Sequence, residues 1–240
     1  MTNNFSLDGK FAVVTGGTKG IGKAITEALA GAGASVAMCA RSQAEITATV
    51  AGMNPRNGGI VIGKVVDLRN SNEVREFFEF VDTEFGSIDI LVNNAGVGIF
   101  RRVRDLTIDD WRTTLETNLS AVFYCCREAL PRMIVRGGGS IINISSLAGK
   151  NPLGGGAAYN ASKFGLNGFT EAMMLDHRND NIRVTYVMPG SVDTGFSSRS
   201  ERAPWKIAPE DVAQVVMDVL AMPERTLISR VEMRPSRPEK

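Results

Sequence analysis

The stretch that decides the fold runs from Phe11 to Ala32 and reads FAVVTGGTKGIGKAITEALAGA. An apolar run of strand length leads into a glycine-rich turn, and the turn leads into a segment with apolar residues at helical spacing. Short apolar runs and amphipathic segments then alternate along nearly the whole chain. Parallel strands need crossover connections, and right-handed crossovers place the helices outside the sheet. The sequence therefore predicts an α/β fold built on a parallel sheet.

Seven segments have the length and apolar composition of buried strands. They are Phe11 to Val14, Ser35 to Cys39, Ile60 to Val66, Ile88 to Val92, Ser140 to Ile144, Ile182 to Val187 and Leu227 to Met233. Six segments show helical spacing, namely Ile21 to Ala32, Gln43 to Met53, Asn72 to Phe85, Ile108 to Ile134, Tyr159 to Leu175 and Glu210 to Ala221. We expect a single Rossmann-like, doubly wound domain over residues 1–240. Its seven-stranded parallel sheet would have helices on both faces and ligands at the C-terminal strand ends.

The charge balance argues against nucleic acid and membrane partners. Lysine and arginine total 27, and aspartate and glutamate total 26, so the chain creates no strong field. The first ten residues are polar, and no apolar run approaches the roughly 20 residues that a membrane-spanning helix needs. Cys39, Cys125 and Cys126 lack metal-ligand spacing and are expected to be buried thiols. We predict a cytoplasmic protein with a small-molecule partner and no metal site.

The turn from Thr15 to Gly22 contains four glycines. Glycines permit a tight turn and let backbone amides approach a phosphate, while the following helix presents the positive end of its dipole. The spacing, Gly-x-x-x-Gly-x-Gly, departs from the three-glycine dinucleotide fingerprint. Its place between the first strand and the first helix still favours a dinucleotide site. The predicted contacts are Gly16, Thr18, Lys19, Gly20, Ile21 and Gly22.

The end of the second strand indicates which dinucleotide is bound. Arg41 stands there, about twenty residues beyond the glycines, where an acidic residue would bind a ribose 2′-hydroxyl. A guanidinium suits a 2′-phosphate instead, because its planar fork matches phosphate oxygens. Lys19 can add a second positive charge near the same phosphate. Together the two cations predict NADP(H).

Two further strand ends carry residues that could contact a nucleotide. Asp67 could accept a hydrogen bond from the adenine amino group, and a turn or N-cap role before Leu68 is the alternative. The motif Asn93-Asn94-Ala95-Gly96 ends the fourth strand, where small residues let a cofactor lie against the backbone. Its asparagines can tie this loop to neighbouring strands. We predict cofactor contacts at Asp67, Leu68, Asn94, Ala95 and Gly96.

Three side chains are candidates for the chemistry. Tyr159 and Lys163 are four residues apart in a helical pattern, so both project from one face of the helix. Ser146 follows the fifth strand, and the glycine-rich stretch Gly154 to Gly156 leads back to that helix. A hydroxyl, a phenol and an ammonium group can therefore meet at one site.

The ordered motifs resemble the short-chain dehydrogenase/reductase family from about Leu7 to Thr194. They are Thr15-Gly16 with Gly20 and Gly22, Asn93-Asn94-Ala95-Gly96, Asn118, Ser146, Tyr159 with Lys163, and Pro189-Gly190. The resemblance implies hydride transfer between NADP(H) and a carbonyl or alcohol. A free tyrosine titrates near 10 and is a poor base at neutral pH, but an adjacent positive charge stabilises the phenolate.

The resemblance also implies a role for each matched residue. Tyr159 would be the general acid/base, Ser146 would orient the substrate oxygen, and Lys163 would lower the tyrosine pKa and hold the nicotinamide ribose. Asn118 would anchor a water-mediated proton relay. Pro189, Gly190, Val192 and Thr194 would lie near the nicotinamide, with residues 190–208 forming the substrate lid. Family members pair into dimers and tetramers, so a homodimer or homotetramer is expected; the tail Arg230 to Pro235 departs from the family pattern and leaves the tetramer contact open.

Several alternatives remain open on the sequence. An NADPH-dependent carbonyl reductase leads, and its subclass of 3-oxoacyl-carrier-protein reductases is compatible. An NAD-dependent alcohol dehydrogenase is disfavoured by Arg41 and Lys19. A catalytically silent NADPH sensor is disfavoured because all four catalytic residues are present. The cluster of Arg101, Arg102 and Arg104 is interpreted as solvated, with recognition of an acidic substrate or carrier protein as the alternative.

Overall fold

The computed structural model describes residues 5–196 and 203–238. Its strands are β1 (Phe11–Thr15), β2 (Ser35–Ala40), β3 (Val61–Val65), β4 (Ile90–Asn93), β5 (Gly139–Ile144), β6 (Ile182–Pro189) and β7 (Arg230–Met233). All neighbouring strands pair in parallel, in the order β3-β2-β1-β4-β5-β6-β7. The predicted Rossmann-like fold with a seven-stranded parallel sheet is confirmed.

Helices cover both faces of this sheet. They are α1 (Gly20–Gly31), α2 (Gln43–Gly52), α3 (Ser71–Phe85), α4 (Ile108–Leu115), α5 (Ala121–Arg136), α6 (Ala157–Asp176) and α7 (Pro209–Leu220). Successive strand residues point to opposite faces, so Val13 joins the core under α3, α5 and α6, while Val14 joins the core under α1 and α7. The central strands are buried on both faces and are therefore mostly continuous apolar runs, whereas the edge strands β3 and β7 are partly exposed. Within the described ranges, no helix combines the length and the apolar character needed to cross a membrane.

The prediction of one long helix from Ile108 to Ile134 is wrong. A π-helical stretch, Glu116–Ser120, separates α4 from α5. This wider turn contains Asn118, whose side chain bonds to the backbone of a neighbouring loop. Apolar spacing continues on both sides of the interruption, so periodicity alone does not reveal it. Such π-bulges are frequent at functional sites.

The order in which the chain adds strands to the sheet reverses between β1 and β4. From β1 the chain builds outward to β2 and β3, and from β4 it builds outward to the opposite edge. At such a switch point the loops leaving the two strands diverge and open a crevice at their carboxyl ends. The glycine turn after β1 and the Asn94 loop after β4 therefore lie side by side, and the site is built around them.

Candidate active site

The turn between β1 and α1 brings backbone into close contact. Gly16 and Gly20 have φ angles of +66° and +54°, which residues with a Cβ rarely adopt. At Gly22 a Cβ would collide with the carbonyl oxygen of Gly16 and with the Asn94 side chain. Lys19 occupies the N-cap of α1 and gives the first turn no side-chain cap. First-turn amides beside a bare glycine backbone suit the pyrophosphate of a dinucleotide.

The loop after β4 holds this turn in place. Thr15 Oγ1 accepts hydrogen bonds from the backbone amides of Asn94 (3.0 Å) and Ala95 (3.1 Å). Asn94 Nδ2 donates to the carbonyls of Thr15 (3.0 Å) and Gly16 (3.2 Å). Gly96 lies near Asn118, because a Cβ at Gly96 would be 3.2 Å from Asn118 Oδ1. Asn94 thus fixes the backbone of the turn, as expected for a residue that ties the loop to a neighbouring strand.

Gly22→Ala is expected to weaken dinucleotide binding at least about tenfold, the affinity equivalent of 1.4 kcal/mol. The new Cβ would displace either the Gly16 carbonyl or the Asn94 side chain. Gly31→Ala is a matched control in the same helix, because a Cβ there meets nothing within 4 Å. Titration of each variant with NADPH measures the effect. Equal affinity of the two variants would contradict the close-contact role of Gly22.

The corner expected to receive a 2′-phosphate contains an acidic residue that the sequence interpretation missed. Lys19 Nζ lies 3.0 Å from Oε1 of Glu45, and Thr18 Oγ1 donates to Oε2 at 3.1 Å. Arg41 is exposed at the end of β2 and acts electrostatically on the same carboxylate. The two predicted cations therefore share one corner, together with an anion. Glu45 is the third residue of α2, after the N-cap Ser42, and this position is typical of ordinary helix capping.

Asp67 forms a local ion pair after β3. Arg69 donates to both carboxylate oxygens, at 2.9 Å from Nε and 2.5 Å from Nη2, and its backbone amide donates to Oδ1. The hydrogen bond from Arg69 holds the pKa of Asp67 below its usual range. Leu68 is buried in the core on the α3 side of the sheet. The cofactor contacts at Asp67 and Leu68 stay a prediction.

Asn118 is fully buried and has well-defined partners. Its Oδ1 accepts from the amide of Val97 (2.8 Å), and its Nδ2 donates to the carbonyl of Val97 (2.9 Å) and to Ser162 Oγ (3.1 Å). The side chain therefore joins the π-helical turn to the loop after β4 and to α6. This arrangement positions the loop that carries Gly96, and the part of Asn118 in a water-mediated relay stays a prediction.

Ser146, and not its neighbour Ser145, acts on Tyr159. The Ser146 hydroxyl lies close enough to the Tyr159 phenol to lower its pKa, and Ser146 Oγ accepts from the amide of Ala148 at 3.1 Å. Ser145 Oγ instead donates to Asn167 Oδ1 at 2.5 Å, on the far side of the same loop. The choice of Ser146 over Ser145 agrees with this geometry.

Lys163 is an almost completely buried ammonium beside the tyrosine. Its Nζ donates to the carbonyl of Ile144 at 2.9 Å and lies 5.9 Å from the centre of the Tyr159 ring. Burial lowers the pKa of Lys163 to about 8. The pKa of Tyr159 is raised by burial, with the Ser146 hydrogen bond acting in the opposite direction. For Tyr159 the loss of hydration thus outweighs the effect of Ser146, and the lowering of the tyrosine pKa by Lys163 stays a prediction.

The segment after β6 closes over the phosphate turn. Gly190, following Pro189, donates its amide to the carbonyl of Met233 (2.9 Å), so β7 supports the start of this segment. Val192 forms a bridge with Ile207. Thr194 reaches the turn, because a Cβ at Gly20 would lie 3.1 Å from Thr194 Cγ2. Of the predicted lid, residues 197–202 lie outside the described residues.

Two phenylalanine rings pack against the Tyr159 ring. Their centroids lie 5.4 Å (Phe100) and 5.9 Å (Phe196) from that of the tyrosine. The rings converge over Gly98, where a Cβ would come within 2.9 Å of Phe100 and 2.6 Å of Phe196. Tyr159 is consequently only 8% exposed. Phe196 lies within the predicted lid of residues 190–208, whereas Phe100 was missed, because it follows the β4 motif with no pattern to mark it.

The arrangement supports proton transfer at one oxygen atom. Tyr159 holds a phenolic proton, Ser146 offers a second hydroxyl beside it, and Lys163 places a positive charge behind both. A carbonyl oxygen at that point could accept a proton and a hydrogen bond as negative charge develops. In residues 5–196 and 203–238, no three His, Cys, Asp or Glu side chains are grouped to hold a metal.

Comparison with known proteins agrees with this geometry. A family model described as short chain dehydrogenase matches residues 10–205. A 3β-hydroxysteroid dehydrogenase of Mediterraneibacter gnavus is 36% identical over 195 residues, which cover 81% of this chain and 70% of that protein. An alcohol dehydrogenase from Thermococcus sibiricus, solved with 5-hydroxy-NADP, superposes with a TM-score of 0.89 at 28% identity, covering 96% of this chain and 99% of that one.

A metagenomic short-chain oxidoreductase solved with NADP is also similar. It superposes with a TM-score of 0.82 at 37% identity, covering 97% of this chain and 99% of that one. Fold, site and matches define an oxidoreductase. The chain belongs to the short-chain dehydrogenase family.

Proposed function

We propose that this protein transfers a hydride between NADP(H) and a carbonyl or alcohol substrate, with Tyr159 as the general acid/base. The observation that carries the proposal is the group of Tyr159, Ser146 and Lys163 beside the carboxyl end of β5. NADPH supplies the hydride when it is bound. Tyr159 then gives its proton to the substrate oxygen, and Ser146 donates a hydrogen bond to the same atom. In the oxidative direction these proton movements reverse.

The residues of the cofactor site fit a dinucleotide. The glycine turn would hold the pyrophosphate, and Arg41 with Lys19 would hold the 2′-phosphate. Pro189, Gly190, Val192 and Thr194 would enclose the nicotinamide end, and Lys163 would bind its ribose. The two solved neighbours described with NADP or its 5-hydroxy derivative support this choice of cofactor.

The cofactor proposal is tested by equilibrium binding. The wild-type protein is expected to bind NADPH at least about tenfold more tightly than NADH, because two cations face the additional phosphate. Fluorescence titration of the purified protein with each nucleotide gives the two dissociation constants. Equal affinities, or tighter binding of NADH, would contradict the assignment of Arg41 and Lys19.

We propose that the substrate is an uncharged, largely apolar carbonyl compound. Phe100 and Phe196 pack against the Tyr159 ring, and this apolar surface favours apolar groups next to the reacting carbonyl. Arg101 is paired with Asp110 (3.0 Å), and Arg104 with Asp105 (3.3 Å). Each guanidinium therefore already has a carboxylate partner, which an acidic carrier would have to replace. Turnover of a 3-oxoacyl thioester well above that of simple apolar ketones would contradict this substrate class.

We also propose that the protein works as a homodimer or homotetramer. Large apolar side chains are exposed along α4, α5 and α6, including Trp111 (40%), Phe123 (45%) and Phe164 (46%). Exposed apolar side chains of this size on neighbouring helices favour contacts with another protein copy. Sedimentation of the purified protein tests the proposal, and a monomer at micromolar concentration would contradict it.

A further inference from the structure

The carboxylate of Glu45 is bound to the phosphate turn through both of its oxygens. Oε1 pairs with Lys19 Nζ at 3.0 Å, and Oε2 accepts from Thr18 Oγ1 at 3.1 Å. A glutamate at the third position of a helix commonly reaches back to the N-cap amide. Here the side chain crosses from α2 to the turn before α1 instead. Glu45 is separated from Lys19 by 26 positions and from Thr18 by 27 positions in the sequence. These contacts place a carboxylate beside the two predicted phosphate-binding cations, Lys19 and Arg41.

Glu45 carries its charge at neutral pH. The hydrogen bonds from Lys19 and Thr18 hold the pKa of Glu45 below its usual value, and Arg41 acts in the same direction. A ribose 2′-phosphate carries about −1.5 to −2 charges at pH 7 and seeks the same donors. The carboxylate and the phosphate therefore compete for Lys19, and they repel each other across the corner.

We propose that Glu45 is a specificity-determining residue of the cofactor site, which withholds Lys19 from the 2′-phosphate and so limits the preference for NADP(H) over NAD(H). The inference rests on the proposed function for the identity of the cofactor. NAD(H) lacks the 2′-phosphate and therefore has no charged group there for Lys19 to bind. Release of Lys19 should therefore favour only the phosphorylated cofactor, and the protein as it stands should prefer NADP(H) less than its two cations allow.

The test is the effect of Glu45→Gln on the two dissociation constants. Glutamine keeps the length of the side chain and one accepting oxygen, while it removes the negative charge and the second acceptor. We expect the dissociation constant for NADPH to fall about five- to tenfold, from the lost competition and repulsion at the edge of the site. The dissociation constant for NADH should change by less than about twofold, because NADH carries a neutral 2′-hydroxyl where NADPH carries the charged phosphate. Glu79→Gln is the matched control, because Glu79 is also exposed and ion-paired on a helix, with Arg75 in α3.

The outcomes separate the inference from the proposed function. A wild-type preference for NADPH that is unchanged or reduced in Glu45→Gln would overturn the role of Glu45 and leave the cofactor assignment intact. Tighter binding of NADH to the same degree as NADPH would overturn it as well. If the wild-type protein does not prefer NADPH but Glu45→Gln binds it selectively more tightly, the inference stands and the cofactor proposal fails. A thermal melt of each variant confirms that both compared proteins are folded.

Discussion

Tyr159→Phe is expected to reduce turnover at least about 100-fold, the usual scale of general acid catalysis, while NADPH binding is kept. The substitution removes one hydroxyl and leaves the ring between Phe100 and Phe196. Without the phenolic proton, negative charge that develops on the substrate oxygen is stabilised by Ser146 and the Lys163 charge but is not neutralised. Steady-state turnover and a separate NADPH titration measure the two effects.

Tyr186→Phe provides the matched control. Tyr186 is also a buried tyrosine, 3% exposed, and its hydroxyl donates to Glu171 at 2.6 Å rather than to the active site. Loss of this hydroxyl should affect stability more than turnover. If Tyr159→Phe keeps turnover within tenfold of the wild type, or if both variants lose it equally, Tyr159 is not the acid/base.

Lys163→Met is expected to reduce turnover at least about 100-fold and to change how stability depends on pH. The ammonium is 4% exposed, and its pKa of about 8 lies below the ordinary value of 10.5 because burial disfavours the charged form. A shift of this size corresponds to about 3 kcal/mol between the two protonation states. Methionine fills similar space without a charge to desolvate, at the loss of the hydrogen bond to Ile144.

The sign of the pH effect follows from proton binding in the two states. Between pH 8 and 10.5 the unfolded chain keeps the proton on Lys163 while the folded protein releases it, so this residue makes wild-type stability rise with pH. The variant lacks that rise. Its unfolding free energy minus that of the wild type should therefore fall by about 2–3 kcal/mol from pH 7 to pH 10 in nucleotide-free protein.

Denaturant titrations across that range measure the difference, and all titrating groups common to both proteins cancel. Lys150→Met is the control for the loss of an exposed lysine, since Lys150 pairs with Glu232 at the surface. If the difference in unfolding free energy between the variant and the wild type stays constant with pH, burial does not lower the pKa of Lys163. The buried ammonium of Lys163 lowers the stability of the wild type at neutral pH, which is typical of a charge kept for function.

The fold was predictable because its signals are local and repeated. Each strand is an apolar run, and each helix has its own spacing, so an error in one segment does not change the topology. The break between α4 and α5 was not predictable, because one wider turn at Glu116–Ser120 leaves apolar spacing intact on both sides. The boundaries of β3 and β7 also differ by one to three residues from the apolar runs, which continue beyond the hydrogen-bonded ladder.

The site was predictable where short motifs carry it and hidden where distant residues meet. Tyr159 and Lys163 share one helix, so their spacing places them together. Glu45 and Phe100 occupy the site through tertiary contacts, and neither has a local pattern that distinguishes it from a capping residue or a loop aromatic. The ion pair between Asp67 and Arg69 was not predicted either, although the two residues are only two positions apart.

The most direct test of the central claim is NADPH oxidation by the purified wild-type protein with a panel of apolar ketones, aldehydes, diketones and a 3-oxoacyl thioester. We predict turnover of apolar carbonyl compounds that requires NADPH and is lost in Tyr159→Phe. Turnover that persists in Tyr159→Phe would contradict the proposed mechanism. Tight NADPH binding without turnover of any compound in the panel would contradict the reductase and favour a nucleotide sensor.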